Sequence, residues 1–156
     1  MKVRLLLAGV AAAATIGALA NAQAPAPAPI PVADVVAVRQ AGMALQLGNL
    51  RAFRSAVEAK VEPKNFVIPA EGMIGFARLI PSLFPPGSGL GVIGLPTIYE
   101  NRAGFEENVA SLVAAGEALK KAADANDSVA FAAAATATSD ACLGCHRKQF
   151  AKSWVK

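Results

Sequence analysis

Histidine, cysteine and large aromatic side chains are scarce in this chain of 156 residues. It contains one histidine, two cysteines, one tryptophan, one tyrosine and seven phenylalanines. A structural zinc site takes four ligands, mostly Cys and His, and these three residues cannot complete one. Alanine-rich helices with so few aromatic residues also bury little apolar area per residue. A marginal core is therefore expected unless the fold encloses a bulky apolar group.

Strand-like patterning is absent as well, because no segment sustains the alternation of apolar and polar residues that marks a half-buried strand. From Val32 onward the apolar residues recur with helical periodicity, and the length suits one domain. We predict an all-α, antiparallel four-helix bundle with helices at about 33–60, 65–83, 99–125 and 127–154. The inward seam of the first helix is predicted at Val36, Gln40, Met43, Leu47, Leu50, Phe53 and Val57.

The scarce cysteines and the single histidine stand together as Cys142-Leu143-Gly144-Cys145-His146. In a CxxCH motif two thiols can add to the vinyl groups of a haem, while the adjacent imidazole ligates its iron. On a helix the spacing i, i+3 and i+4 places both cysteines and the histidine on one face. The motif therefore predicts one covalently bound haem c per chain, with His146 as the proximal iron ligand.

Other interpretations of the motif are weaker. A thioredoxin-like CxxC should open a helix within a βαβ unit, and this sequence shows no alternation of strands with helices. A zinc site lacks its fourth ligand. A disulfide between residues three apart constrains little of the unfolded chain and leaves His146 without a role. No nucleophile, base and orienting residue form a recognisable set, so we expect no enzyme activity.

The N-terminus has the features of a secretory signal peptide. Two basic residues precede an apolar run over 5–20, which ends at the A-x-A type cleavage site Ala20-Asn21-Ala22. The run is shorter than the roughly 20 residues of a membrane span, although an uncleaved anchor is the alternative. We predict export to the periplasm, with a signal peptide over 1–22, a proline-rich extended leader over 23–31 and the bundle over 32–156.

Few side chains could occupy the second axial position of the iron. The chain has no second histidine, and Met1 would leave with the signal peptide, so only Met43 and Met73 could supply a thioether. Met43 lies on the predicted inward seam and is the better candidate, either as a ligand or as a residue that packs over an open iron face. Arg39 and Gln40 stand one turn earlier, and Arg39 could pair with a haem propionate.

The charge of the chain is modest and unevenly placed. Loss of Lys2 and Arg4 with the signal peptide lowers the net charge from +4 to +2, which is too weak to indicate a nucleic-acid partner. The charged residues that follow the CxxCH motif are all basic: Arg147, Lys148, Lys152 and Lys156. They either stabilise a helix C-terminus or form a basic rim that attracts an acidic redox partner protein.

Residues 85–96 form an uncharged crossover between the second and third predicted helices. Its prolines and glycines exclude regular secondary structure. An apolar crossover is costly on a protein surface unless it covers something. It therefore either covers the edge of the haem or packs over the end of the bundle.

These motifs together resemble those of the class II c-type cytochromes, the cytochrome c′ and cytochrome c-556 family. Residues 34–43 are similar to the family's first helix, 83–88 to its crossover, and 96–99 with Phe105 to the start of its third helix. The position of CxxCH near the C-terminus also fits. Two departures are Tyr99, where the family usually has tryptophan, and Phe150, where members often have arginine.

The resemblance implies a haem-bearing four-helix bundle with assigned site residues. Cys142 and Cys145 would hold the thioethers, His146 would be the proximal ligand, Arg39 and Gln40 would contact haem, and Met43 would take the distal position. In cytochrome c-556 a methionine ligates the iron, whereas cytochrome c′ leaves it five-coordinate. The chain is thus expected to be a one-electron carrier or, alternatively, a protein that binds nitric oxide or carbon monoxide. Homodimers are common in the family.

Overall fold

The computed structural model describes residues 30–88 and 96–149, without the side chains of 96, 97, 148 and 149. Its α-helices are α1 (Val32–Ala59), α2 (Val67–Leu79), α3 (Pro96–Glu100), α4 (Arg102–Asp124) and α5 (Ser128–Gln149). Two 3-10 segments, Pro63–Phe66 and Ile80–Leu83, flank α2. The long helices α1, α2, α4 and α5 form the predicted antiparallel four-helix bundle. The predicted signal peptide, nearly all of the leader and residues 150–156 lie outside the described residues.

Helix α1 ends where the backbone turns left-handed. Lys60 has φ 54°, and its N–H donates to the carbonyl of Val57 at 3.3 Å. Pro63 then opens the first 3-10 segment. The predicted limits of this helix, 33–60, are confirmed within one residue.

The predicted seam of α1 is wrong in part. Gln40, Leu47 and Val57 are exposed, and the buried residues are Arg39, Gly42, Phe53 and Ala56. The buried face differs from the predicted one for two reasons. Gly42 and Ala56 are small, and at Gly42 this lets Phe76 of α2 approach the backbone of α1 closely. The Arg39 guanidinium is buried because it donates hydrogen bonds to oxygen atoms inside the fold.

The second predicted helix is one α-helix between two 3-10 segments. Pro81 lies in the first turn of the second segment, where its missing N–H costs no hydrogen bond. Ile74, Ala77 and Ile80 are buried, and Leu83 is half-buried. The stretch Pro63–Leu83 is long and apolar enough to cross a membrane, a test that core helices of bundles also pass.

The third predicted helix is interrupted at Asn101. The Asn101 side chain accepts a hydrogen bond from the Gly104 N–H at 3.0 Å and so caps α4, which separates it from the short α3. The single helix predicted over 99–125 is therefore wrong at its start. Phe105, Val109 and Leu119 of α4 are buried.

Helix α5 is capped by the side chain of Asp127. One carboxylate oxygen of Asp127 accepts hydrogen bonds from the N–H groups of Val129 and Ala130, each at 3.0 Å. Phe131 is buried one turn later, and Cys142, Cys145 and His146 lie towards the other end of the helix.

The core contains two groups of buried residues. The aromatic cluster is formed by Phe53, Phe66 and Phe131, whose ring centroids lie 5.7–6.0 Å apart, together with Met73, Leu119 and neighbouring alanines. The cavity cluster, named for the site described below, comprises Ala77, Ile80, Phe84, Ile98, Phe105 and Val109. Met43 and Phe76 pack against the cavity cluster. The core thus has one part beside the CxxCH motif and one part centred on three aromatic rings.

Candidate functional site

A mainly apolar cavity opens between the long helices beside the cavity cluster. It encloses about 560 Å³ of empty space, its open mouth included. Its walls are formed by Met43, Gln46, Met73, Phe76, Ile80, Phe84, Phe105, Asn108, Val109, Leu112, Ala141, Cys142, Cys145 and His146. Apart from the motif itself, Gln46 and Asn108 are the polar side chains of this wall. Such a lining suits a large apolar group with a few fixed attachment points.

Cys142, Cys145 and His146 line one side of this cavity. All three side chains are half-buried, and both cysteines are free. The helical spacing therefore places two sulfurs and an imidazole against the same space, as the sequence predicted. This donor set fits a covalent haem, because each thiol can form one thioether while the imidazole ligates the iron. The apolar walls would face the porphyrin.

The pKa values of these side chains do not favour thiol redox chemistry. Burial raises the pKa of the Cys142 thiol, and burial together with the neighbouring Cys142 raises the pKa of Cys145 to about 11. Reactive cysteines of disulfide-exchanging enzymes have lowered pKa values instead. Burial lowers the pKa of His146, which favours the neutral imidazole needed for ligation.

Both candidate methionines line the cavity. Met43 on α1 is half-buried, and Met73 on α2 is only 1% exposed. The sequence favoured Met43 because it lies on the predicted inward seam of the first helix, but the structure brings both side chains to the same space. Ligation of the iron by Met43 stays a prediction.

Arg39 is buried, with 6% of its surface exposed, and its guanidinium reaches the crossover. Its Nη1 donates to the Leu83 carbonyl at 2.9 Å and to the Ser88 hydroxyl at 3.3 Å, and its Nη2 donates to the Ser88 carbonyl at 3.2 Å. The guanidinium carbon also lies 4.2 Å from the ring centroid of Phe84. Arg39 therefore fastens α1 to the start of the crossover.

The predicted haem contacts of Arg39 and Gln40 stay predictions. Arg39 lies directly behind Phe84, which does line the cavity. The Gln40 side chain is exposed and is not part of the cavity wall. The hydrogen bonds to Leu83 and Ser88 use N–H groups at Nη1 and Nη2 of Arg39. A haem propionate would therefore have to accept from the N–H groups of Arg39 that these bonds leave over.

The crossover is held by two further side chains. The Tyr99 hydroxyl donates to the Pro85 carbonyl and lies 3.0 Å from the Ser88 hydroxyl. Arg102 donates to the carbonyls of Pro81 at 2.9 Å and Phe84 at 3.4 Å. These contacts keep Phe84 against the cavity. Residues 89–95, the centre of the crossover, lie outside the described residues.

The sequence did not point to several residues of the cavity wall. Phe76, Gln46 and Asn108 were not predicted as site residues, yet all three line the cavity. Gln46 stands one turn after Met43, and this i, i+3 spacing was the signal that could have identified it. The predicted basic rim is described only at Arg147, which is exposed. Within the described ranges no three His, Cys, Asp or Glu side chains gather as a metal site.

The family comparison gives one match over most of the chain. The family model described as Cytochrome C′ matches residues 34–150. No curated protein matches the chain in sequence.

Solved structures with the same fold are cytochromes c′. The protein from Thermochromatium tepidum aligns with a TM-score of 0.72 and 23% identity, over 80% of this chain and 100% of its own. A cytochrome c′ with a ligand-controlled dimer dissociation aligns with a TM-score of 0.72 and 21% identity, over 80% of this chain and 100% of its own. The nitric oxide complex of a mutant cytochrome c prime from Alcaligenes xylosoxidans aligns with a TM-score of 0.72 and 22% identity, over 81% of this chain and 100% of its own. At these identities the likeness concerns the fold.

Proposed function

The chain belongs to the cytochrome c′ family, and from this membership we propose that it is a periplasmic carrier of single electrons. Its cofactor is a covalently bound haem c. When bound, haem supplies an iron that alternates between ferric and ferrous states. The observation that carries the proposal is the position of Cys142, Cys145 and His146 on one wall of an apolar cavity that Met43 also lines.

The protein's own residues would set the properties of this site. Cys142 and Cys145 would fix the porphyrin plane relative to α5, and His146 would hold the proximal position. The apolar walls exclude water, which tunes a reduction potential through burial. Exposed Arg147, next to the proximal histidine, would favour an acidic partner protein by electrostatic steering. This role involves no turnover of a substrate.

A second candidate function is the binding of nitric oxide or carbon monoxide. It is supported by the nitric oxide complex of the Alcaligenes xylosoxidans relative and by the apolar cavity, which could admit a small uncharged molecule. The two functions differ in the role of Met43. As an iron ligand its thioether occupies the second axial position, whereas as a packing residue it leaves that position to an external ligand.

Replacing Met43 with leucine tests the choice between these functions. Leucine keeps a similar apolar volume but cannot ligate iron. For an electron carrier with Met43 as ligand, we expect a low-spin ferric spectrum in the wild-type protein that becomes high-spin in Met43→Leu. The measurement is absorption and EPR of the purified ferric protein.

The matched control is Met73→Leu, since Met73 lines the same cavity from α2. It should leave the low-spin spectrum unchanged. A high-spin wild-type spectrum that neither substitution alters would contradict methionine ligation and support gas binding. Loss of the low-spin signal in Met73→Leu alone would assign the ligand to Met73.

A homodimer is proposed from the outer faces of α1 and α2. Val38 and Leu45 on α1 are 54% and 69% exposed, and Ile68 and Leu79 on α2 are 75% and 57% exposed. Helices α1 and α2 pack against each other, so these exposed residues can form one apolar surface. A similar cytochrome c′ forms a dimer that dissociates under control of a ligand. Such residues are costly in water unless covered. A second copy of this chain is the proposed partner.

Charge on that surface should separate the subunits. We expect the double substitution Leu45→Lys and Ile68→Lys to convert a dimer into a monomer, because it would bury like charges at the interface. Light scattering during gel filtration measures the mass. The control is Val129→Lys, on the exposed start of α5, where the side chain is 82% exposed. A wild-type protein that is monomeric at micromolar concentration would refute the proposed dimer.

A further inference from the structure

Phe76 of α2 packs directly on the backbone of Gly42 in α1. A Cβ atom added at Gly42 would overlap the edge of the Phe76 ring. Gly48, two turns further along α1, has nothing within 4 Å of such a Cβ. Glycine costs a helix interior roughly 1 kcal/mol relative to alanine. At position 42 this cost is offset, because the absence of a side chain lets the Phe76 ring pack against the backbone of α1.

The same ring forms part of the cavity wall. Phe76 is half-buried, lines the cavity and packs against the cavity cluster beside Met43. Gly42, on which it rests, directly precedes Met43 in the chain. The ring and the thioether therefore share one region of the cavity. A shift of the ring changes the space around Met43, since packed interiors have little free volume to absorb it.

We propose that Phe76, seated on Gly42, is a specificity-determining residue whose ring limits the space beside Met43 available to a small external ligand of the iron. The inference rests on the proposed haem function and adds a residue that the CxxCH motif does not reveal. The ligand class is a small uncharged molecule, because the wall at this place is apolar. A smaller residue at position 76 would admit such a molecule more readily.

The test uses the haem-loaded protein with Met43→Leu as parent, so that no thioether at position 43 competes for the iron. Carbon monoxide is the probe, and its association rate with the ferrous protein is followed by flash photolysis. Adding Phe76→Leu should raise the association rate about tenfold, because it removes steric crowding of the approach. The control adds Phe66→Leu, the same change in a half-buried ring of the aromatic cluster, and should leave the rate unchanged.

A second pair of variants moves the ring without removing it. Gly42→Ala places a methyl group against Phe76 and should shift the rate by about threefold or more, whereas Gly48→Ala should not change it. Equal rates in the parent, Phe76→Leu and Gly42→Ala would overturn the inference while the haem function stands. A parent whose mass shows no attached haem would overturn the proposed function, and the inference with it.

Discussion

Replacing Cys142 and Cys145 together with serine should abolish covalent attachment of haem. Both side chains line the cavity beside His146, and a serine hydroxyl cannot form the thioether. We expect the denatured double variant to be colourless and to have the mass of the bare polypeptide, whereas the wild-type chain should carry the mass of one haem. Each single substitution should keep one thioether and therefore the pigment. Mass spectrometry after acid-acetone extraction measures the outcome.

The same substitution changes how stability depends on haem. A cofactor that binds only the folded state stabilises it by an amount that rises with the logarithm of the cofactor concentration once that concentration exceeds Kd, and the loss of attachment converts haem into such a dissociable ligand. The melting temperature of the double variant should therefore rise with added haem. Leu143→Ser is the matched control, because Leu143 lies between the cysteines and outside the cavity wall. Pigment that survives extraction in the double variant would contradict the assignment of both attachment sites.

Phe53→Ala should destabilise the fold without altering the haem spectrum. Phe53 is fully buried and makes edge-to-face contacts with Phe66 and Phe131 at 5.9 and 6.0 Å between ring centroids. Truncating such a residue costs about 3–5 kcal/mol. Urea unfolding followed by circular dichroism measures the loss. The absorption spectrum of the folded variant should match the wild type, because Phe53 does not line the cavity.

A milder variant and an exposed one complete this test. Phe53→Leu should lower the free energy of unfolding by a smaller amount, which keeps the prediction testable if the alanine variant fails to fold. Val129→Ala should change it by no more than about 0.5 kcal/mol, since that side chain is 82% exposed. A spectral change in Phe53→Leu as large as in Met43→Leu would show that the aromatic cluster is not separate from the site.

The sequence predicted the features that depend on local spacing. The CxxCH motif places its three side chains on one helical face by geometry alone, and the structure has all three on one cavity wall. The sequence offers Asp127 or Ser128 as the cap of the last helix, since either side chain can satisfy free N–H groups, and in the structure it is Asp127 that does so. The four long helices followed from apolar periodicity. None of these features needs knowledge of which helices touch.

Features that depend on tertiary contacts were not predicted. The buried face of α1 differs from the predicted seam because it is chosen by the small size of Gly42 and Ala56 and by the partners of Arg39, not by hydrophobicity. The polar partners of Arg39 are Leu83 and Ser88, more than 40 positions further along the chain. The break at Asn101 follows from its own side chain, which here caps α4 instead of continuing the helix.

The division of the core bears on the order in which this protein is assembled. The three rings of the aromatic cluster join α1, the first 3-10 segment and the start of α5, and none of the three lines the cavity, although Met73 belongs both to this cluster and to the cavity wall. That end of the bundle can gain its packing energy while the sulfurs of the CxxCH motif are still unmodified. Maturation would then begin on a polypeptide already organised at one end, and thioether formation would complete the other.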